Sequence, residues 1–528
     1  MDDKELESNE MDDFTLELIK ELFDAPDQSD SEISSPHKKL TDEIDGLIKA
    51  TENIGLTAPI IHLFRRLKEI KKELNITPNV FGISKETLSM LAERHQHIDE
   101  HGVTVGGRVN KALPIVEQAN DRVVDYLKKK DTEAPSGIEL WDSIQENVRR
   151  IKSILKIDDD QWNSYSGQIK HCIDSVEKLS KIIDLPSQII EELRRVTKSY
   201  RMRLTPYYAS LIQPNRTNDP VLLQSVPTGE MVDNVGIEIP PVAADHSPAR
   251  LIDQFYPRVL TIKATNMCAM YCTHCLRIAH IGKKDRIYSD GAYEEALNYI
   301  RDNTHIRDVL VTGGDAFVLP NRMIKKILKA LDDIDHVKMK RLGTRIPVTT
   351  PWRVDSELLE ILDESNDKKP IRVVTQINTA QEITPISKNA FKHISKSVSA
   401  VLNQAVLLKG INDTKVKMWK LCETIQESYV RPYYIFNCSY RNPQFSHFRV
   451  PVEKGRDIVE SMYGNISGDA IPRYIATAGG KIPLHRSNVV DRKGSDVVMK
   501  KPWSGETVKY PDADPDEYAD PYFSFAKK

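Results

Sequence analysis

Three cysteines fall within eight residues, Cys268, Cys272 and Cys275, in the stretch Lys263-Ala-Thr-Asn-Met-Cys-Ala-Met-Tyr-Cys-Thr-His-Cys-Leu-Arg277. The spacing is C-x3-C-x2-C, on a loop after the apolar run 259–264. Three thiolates so placed can close on three irons of a cubane cluster, leaving a fourth iron free to bind a small chelating molecule. A three-cysteine zinc site is an alternative, although zinc normally takes a fourth ligand and His274 sits at the wrong spacing for one. Three unrelated buried thiols are the plainest alternative. A second candidate is Val309-Leu-Val-Thr-Gly313-Gly314-Asp315. Paired glycines let a ligand approach the backbone, and the carboxylate beside them can accept bonds from an ammonium or a ribose. Without a ligand, the same residues make a tight turn with an N-cap aspartate.

Such residues need a scaffold that gathers loop ends. From Val259 onward, apolar strands expected at 259–265, 308–312, 337–342, 371–377, 399–408 and 430–437 alternate with helices expected at 290–301, 321–332, 355–363, 385–396, 415–428 and 453–462. Six βα units imply a parallel sheet with right-handed crossovers. They are too few for a closed eightfold barrel, so the expected fold is α/β, an open (β/α)6 partial TIM barrel with an N-terminal helical extension. Active sites in such folds lie at the C-terminal strand ends, where the cysteine loop and the Gly-Gly-Asp segment both fall.

Five segments are expected. Residues 1–45 form an acidic tail of disordered composition. Residues 46–135 form a helical accessory region, with Ile60, Phe64, Leu67 and Leu74, then Val116, Ala119, Val123 and Tyr126, at helical spacing. Thr132-Glu-Ala-Pro-Ser-Gly137 is a candidate linker. Residues 136–250 are a helical region and a Pro- and Asn-rich wrapping arm, 251–464 the barrel, and 465–528 a C-terminal segment and tail.

The bulk numbers exclude several classes. Net charge is −3, with −11 concentrated in residues 1–32, so the +8 of the remainder is too dilute for nucleic-acid binding. No apolar run is long enough to span a bilayer, and the acidic start lacks the features of a secretory signal. The six cysteines do not suggest a disulfide framework. A cytoplasmic, reducing compartment is expected, and an oxygen-labile cluster would need it. A homo-oligomer is left open.

The order of further motifs narrows the reading. They are Leu204-Thr-Pro-Tyr-Tyr208, Asn218-Asp-Pro-Val221, Tyr256-Pro-Arg-Val-Leu260, Leu402-Asn-Gln404, His447-Phe-Arg-Val-Pro-Val452 and Gly479-Gly-Lys-Ile-Pro483. Together with the cysteine loop, over about 138–490, they resemble the lysine 2,3-aminomutase (KamA-like) family of radical S-adenosylmethionine (SAM) enzymes. The resemblance implies a [4Fe–4S] cluster on Cys268, Cys272 and Cys275 with SAM on the open iron, and an electron donor to reduce it. It implies Tyr256, Gly313, Gly314, Asp315 and Gln404 in the SAM region. It implies pyridoxal 5′-phosphate (PLP) as an aldimine on Lys481, and Arg277 paired with the carboxylate of a small amino acid substrate. In the implied reaction a 5′-deoxyadenosyl radical removes a β-hydrogen, and the α-amino group migrates to that carbon on PLP.

Some positions depart from the family. The His-rich segment after Ile377-Asn-Thr is cut short, Phe255 stands where a basic residue near the PLP phosphate is usual, Thr273 replaces an arginine, and the Cys-rich tail is missing. The two aspartates that hold the distant ammonium in lysine-acting members align with Ser439 and Thr477. The expected substrate is therefore an α-amino acid other than free lysine. Arg441 and Arg473 would favour an anionic or polar side chain, or Asp469 or Glu382 would replace the clamp from a new direction. Two rival readings stay open: a radical SAM enzyme of changed chemistry on the same barrel, and a non-catalytic Fe–S or regulatory protein.

Overall fold

The computed structural model describes residues 114–214, 218–234, 236 and 246–513. The chain divides into Met1–Gln118 and Ala119–Lys528. Of the first unit only 114–118 are described, as helix. The expected acidic tail and the helical pattern at 60–74 lie outside the described residues.

The second unit is built on a nine-stranded sheet whose strands follow one another in chain order. They are β1 (Ile252–Asp253), β2 (Val259–Thr265), β3 (Asp308–Gly313), β4 (Met339–Gly343), β5 (Ile371–Thr375), β6 (Ala400–Leu407), β7 (Arg431–Asn437), β8 (Arg473–Thr477) and β9 (Lys481–Pro483). β2 to β8 are parallel throughout. β1 pairs antiparallel with β2, and β9 with β8. The sheet curls into a half barrel, in keeping with an open barrel fold. The six expected strands are present, but the count of six is not the count of the sheet. β8 is a seventh parallel strand, in a segment expected to lie beyond the barrel, and β9 folds back on it. β8 and β9 are only five and three residues long. Strands so short carry little periodicity, and pairing, of β8 to β7 and of β9 to β8, decides their state.

Before the barrel come α1 (Val124–Glu133), α2 (Trp141–Leu155) and α3 (Pro220–Ser225). Between the parallel strands lie α4 (Asp290–Asp302), α5 (Asn321–Asp332), α6 (Ser356–Lys368), α7 (Pro385–Ser397), α8 (Lys415–Gln426) and α9 (Val452–Glu460). α5 shows why these segments are helices. Ile324, Ile327, Leu328 and Leu331 recur at three- and four-residue spacing, and all are buried against the sheet. Among the described residues no helix is long and apolar enough to cross a membrane.

The strands alternate between two faces. Leu260, Ile262, Val309, Val311, Leu342 and Ile435 join the core under the helices. Their neighbours Thr261, Asp308, Arg341, Gln404, Tyr434 and Phe436 are only half-buried. Side chains on one strand point alternately to opposite faces, so this second set lines the concave side, which is polar and incompletely filled.

A second core lies in the helical region ahead of the barrel, around Ile144, Ile151, Leu179, Leu204 and Tyr208. α1 is fastened to the barrel. Tyr126 is hydrogen-bonded to Glu423 and stacks obliquely on Trp419, and Lys420 bonds Asp131 at 2.7 Å and also pairs with Glu139. The expected accessory region thus contributes at least residues 124–135 to the body that holds the barrel.

Candidate active site

The cysteine loop leaves the C-terminal end of β2 and is held between the two cores. Ala269 packs with the barrel core, and Met270 and Cys272 pack with the helical core. Backbone bonds fasten the same loop: Tyr271 N–H donates to the Arg203 carbonyl at 3.2 Å and Thr273 N–H to the Gln224 carbonyl at 3.0 Å. The Thr273 hydroxyl donates to the Leu223 carbonyl at 2.9 Å. Leu223 and Gln224 belong to α3, whose start is set by Asp219 accepting from the Val221 and Leu222 amides.

The paired glycines make room for this loop. A methyl group on Gly313 would come within 2.4 Å of the Thr265 carbonyl oxygen, and one on Gly314 within 2.2 Å of that of Met267. Gly313 also has φ +109°, which side-chain-bearing residues rarely adopt. The close approach they allow is that of the cysteine loop itself. Asp315 accepts from the Phe317 amide at 2.9 Å through one oxygen and from the Arg345 amide at 2.6 Å through the other. It caps the turn after β3 and ties it to the end of β4.

The three thiols line one recess together with Tyr200, Met231 and Tyr271. Burial, then the Asp315 carboxylate and the sister thiols, raise Cys268 well above the ordinary thiol range. Burial and Cys272 push Cys275 up to about 12. Free thiols crowded together in a recess stay protonated, and a cationic metal centre is what would make thiolates of them. Among the described residues no three His, Cys, Asp or Glu side chains converge on a single metal ion. The ligands of a cubane bind separate irons and need no such convergence. His274 is buried and held neutral, its pKa pushed down to about 3 by burial and then by Arg345. Its Nε2 lies 3.2 Å from both Gln376 Oε1 and Asn378 Nδ2. The cysteines therefore fit a cluster, with His274 turned to other partners.

One part of this site was not foreseen. Arg345, at the end of β4, donates from Nη1 to Cys272 Sγ at 2.9 Å. Its Nη2 donates to Gln224 Oε1 at 3.0 Å and to the Tyr208 hydroxyl at 3.2 Å, and forms an ion pair with Glu382. The signal available in the sequence was a cation just past a strand end, in Gly343-Thr-Arg345.

Lys481 opens β9, directly after the turn at Gly479 and Gly480. Its Nζ lies 4.7 Å from the ring centre of Tyr434 and 5.7 Å from that of Phe436, both on the concave face. Burial, and after it the Arg341 cation, lower its pKa to about 8. Arg341 is itself paired with Asp308 at 2.7 Å. Tyr256 is hydrogen-bonded to the Lys481 backbone and has its pKa raised by burial. An amine made partly neutral and set over aromatic faces suits covalent capture of an aromatic aldehyde such as PLP. Gln404 stands on β6 opposite Tyr434 in the register. Arg277 directly follows the cysteine loop, ahead of the short helix Ile278–Ile281, and is half-buried.

Two substitutes considered for the substrate clamp are placed elsewhere. Glu382 is buried against Arg345 beside Cys272. Asp469 pairs with exposed Arg431 at the start of β7. Phe255 is 52% exposed and packs at a tilt against His246. Ser439 and Thr477 are half-buried just past the end of β7 and at the end of β8, respectively.

No family model matches the chain. Among curated proteins, it is 38% identical over 405 residues to a glutamate 2,3-aminomutase of Clostridioides difficile, covering 76% of this chain and 94% of the relative. It is 34% identical over 357 residues to an L-lysine 2,3-aminomutase of Clostridium subterminale, covering 67% and 85%. It is 34% identical over 392 residues to an L-lysine 2,3-aminomutase of Bacillus subtilis, covering 72% and 82%.

Proposed function

The chain belongs to the lysine 2,3-aminomutase (KamA-like) family and is an isomerase, and from that premise we propose that it is a radical SAM, PLP-dependent 2,3-aminomutase acting on a polar α-amino acid other than free lysine. The observation that carries this reading is Lys481, depressed to about 8 by burial and Arg341 and set over Tyr434 on the concave face. A surface Gly-Gly-Lys turn would have no reason to sit there.

The roles follow from position. Cys268, Cys272 and Cys275 would hold a [4Fe–4S] cluster, and the backbone of Gly313 and Gly314 seats their loop. Lys481 would hold PLP, with Tyr434 and Phe436 offering ring faces and Tyr256 fixing the hairpin that carries the lysine. Arg277 would take the substrate carboxylate, for which a planar guanidinium is suited. When bound, SAM at a reduced cluster supplies a hydrogen-abstracting carbon radical, and PLP supplies an electrophilic carbon that carries the migrating nitrogen. The protein orients both partners and lowers the pKa of Lys481 so that a larger share of it is neutral than in a free lysine. Tyr434, Phe436 and Arg341 around Lys481 give a positioned setting for that.

Support for the substrate class comes from Ser439 and Thr477, which cannot ion-pair with a distant ammonium, and from a glutamate 2,3-aminomutase among the relatives. The test is anaerobic preparation of the chain with both cofactors, reduction, and incubation with SAM and single amino acids. The expected result is 5′-deoxyadenosine and a β-amino acid from a polar substrate. Preparations that take up cluster but neither PLP nor any amino acid would replace this reading with a radical SAM enzyme of other chemistry.

A further inference from the structure

We propose that Arg345 is a positioning residue that sets the electron affinity of the cluster through its hydrogen bond to Cys272, and that Glu382 holds it there and moderates its charge. The inference rests on the assignment of the three cysteines to a cluster. Nη1 of Arg345 lies 2.9 Å from Cys272 Sγ, while Nη2 is fixed by Gln224, Tyr208 and Glu382. The Arg345 side chain is 11% exposed and that of Glu382 is 0% exposed. Glu382 is in turn held by the Asn378 amide at 2.8 Å and the Tyr208 hydroxyl at 3.0 Å. An arginine pinned on this many sides cannot swing away from the sulfur.

The physical effect has a definite sign. A donor on a ligating sulfur draws charge from it, and a nearby cation favours the state with one more electron. Hydrogen bonds to the sulfurs, net charge and exposure are the levers that set cluster potentials. Low solvent access strengthens each of them. Glu382 acts oppositely, but through the guanidinium and not on the sulfur itself. Two buried donors at this place, Arg345 Nε and Gln224 Nε2, have no partner among the described residues. Buried donors are rarely left unsatisfied, and both belong to the side chains that surround the Cys272 contact.

A simple brace between β4 and the turn before α7 would also use this ion pair, and the two roles separate by measurement. The full chain is reconstituted anaerobically with iron and sulfide, and Arg345→Gln, Glu382→Gln and the double variant are treated alike. Iron per chain is assayed, and the midpoint potential is read by dithionite titration with mediator dyes, followed by electron paramagnetic resonance. Arg345→Gln is expected to shift the one-electron equilibrium about tenfold toward the oxidised cluster, about 59 mV downward. Glu382→Gln is expected to shift it upward. The double variant, which leaves no unpaired buried charge, should fold and lie below wild type by less than Arg345→Gln. Equal potentials in wild type and the double variant at equal iron content, or shifts of both single variants in one direction, would overturn the inference. A wild-type chain that takes up no cluster would overturn the cluster assignment instead.

Discussion

Lys481 lies with its Nζ 4.7 Å from the ring centre of Tyr434, two residues whose strands are separated by β8 in the sheet. The contact exists because β9 turns back at Gly479 and Gly480. It takes the lysine from the end of a hairpin to the concave face, where burial and Arg341 lower its pKa to about 8. The neutral amine therefore gains population as pH rises through about 8. Capture of PLP by the apoprotein, followed by absorbance, should quicken from pH 7 to 9 and then level off. A free lysine would not level until beyond about 10.4. Arg341→Gln should move the midpoint upward by removing the cation. The stability effect has the same sign. The unfolded chain binds more protons at this group, so its contribution to stability rises with pH between about 8 and 10.4. A wild-type midpoint near 10 would refute the assignment.

Borohydride should fix PLP to the peptide containing Lys481, and Lys481→Ala should lose the bound cofactor while keeping its iron. Labelling at a different lysine in cofactor-replete protein would count against Lys481.

Replacing Cys268, Cys272 and Cys275 together by alanine should abolish iron uptake and the release of 5′-deoxyadenosine from SAM under reduction. Equal SAM cleavage by this variant and wild type would remove the cluster from these residues.

Gly314→Ala should act on the same site from a distance in sequence. Its methyl group would sit 2.2 Å from the Met267 carbonyl oxygen, so the cysteine loop must move. Overpacking of this kind costs about 1–3 kcal/mol. Lower iron content and a lower melting temperature are expected. Gly468→Ala, where no heavy atom lies within 4 Å, is the control and should change neither. Matching melts and iron contents for the two variants would contradict the close approach.

On substrate, a buried ammonium left without its charged partners typically loses about 3–5 kcal/mol, roughly two to three decades in affinity. Ser439 and Thr477 predict that discrimination against free lysine. Thr477→Asp with Ser439→Asp should improve lysine turnover relative to the native substrate. Preferred conversion of lysine by the unaltered chain would refute the substrate class and leave the mechanism standing.

Local patterns were enough for the repeating part of the fold and for the chemistry of short motifs. The cysteine spacing, the Gly-Gly-Asp turn and six alternating strands depend on neighbours within a few residues, which is why period and spacing reveal them. The Gly-Gly-Lys motif was legible through its place in the family order, while its reactivity was not. What tertiary structure decided is of another kind. β8 is a strand because β7 pairs with it. Asp315 and the glycines shape the loop they face, through contacts with Met267 and Arg345 across two strand ends. Glu382, a candidate for the substrate clamp by type alone, is committed to Arg345 beside Cys272, more than a hundred residues away in the chain. Lys481 becomes an amine of lowered pKa only where Arg341 and the buried face of the sheet meet it. Burial, register and the sum of nearby charges belong to the folded sheet, and no stretch of sequence contains them.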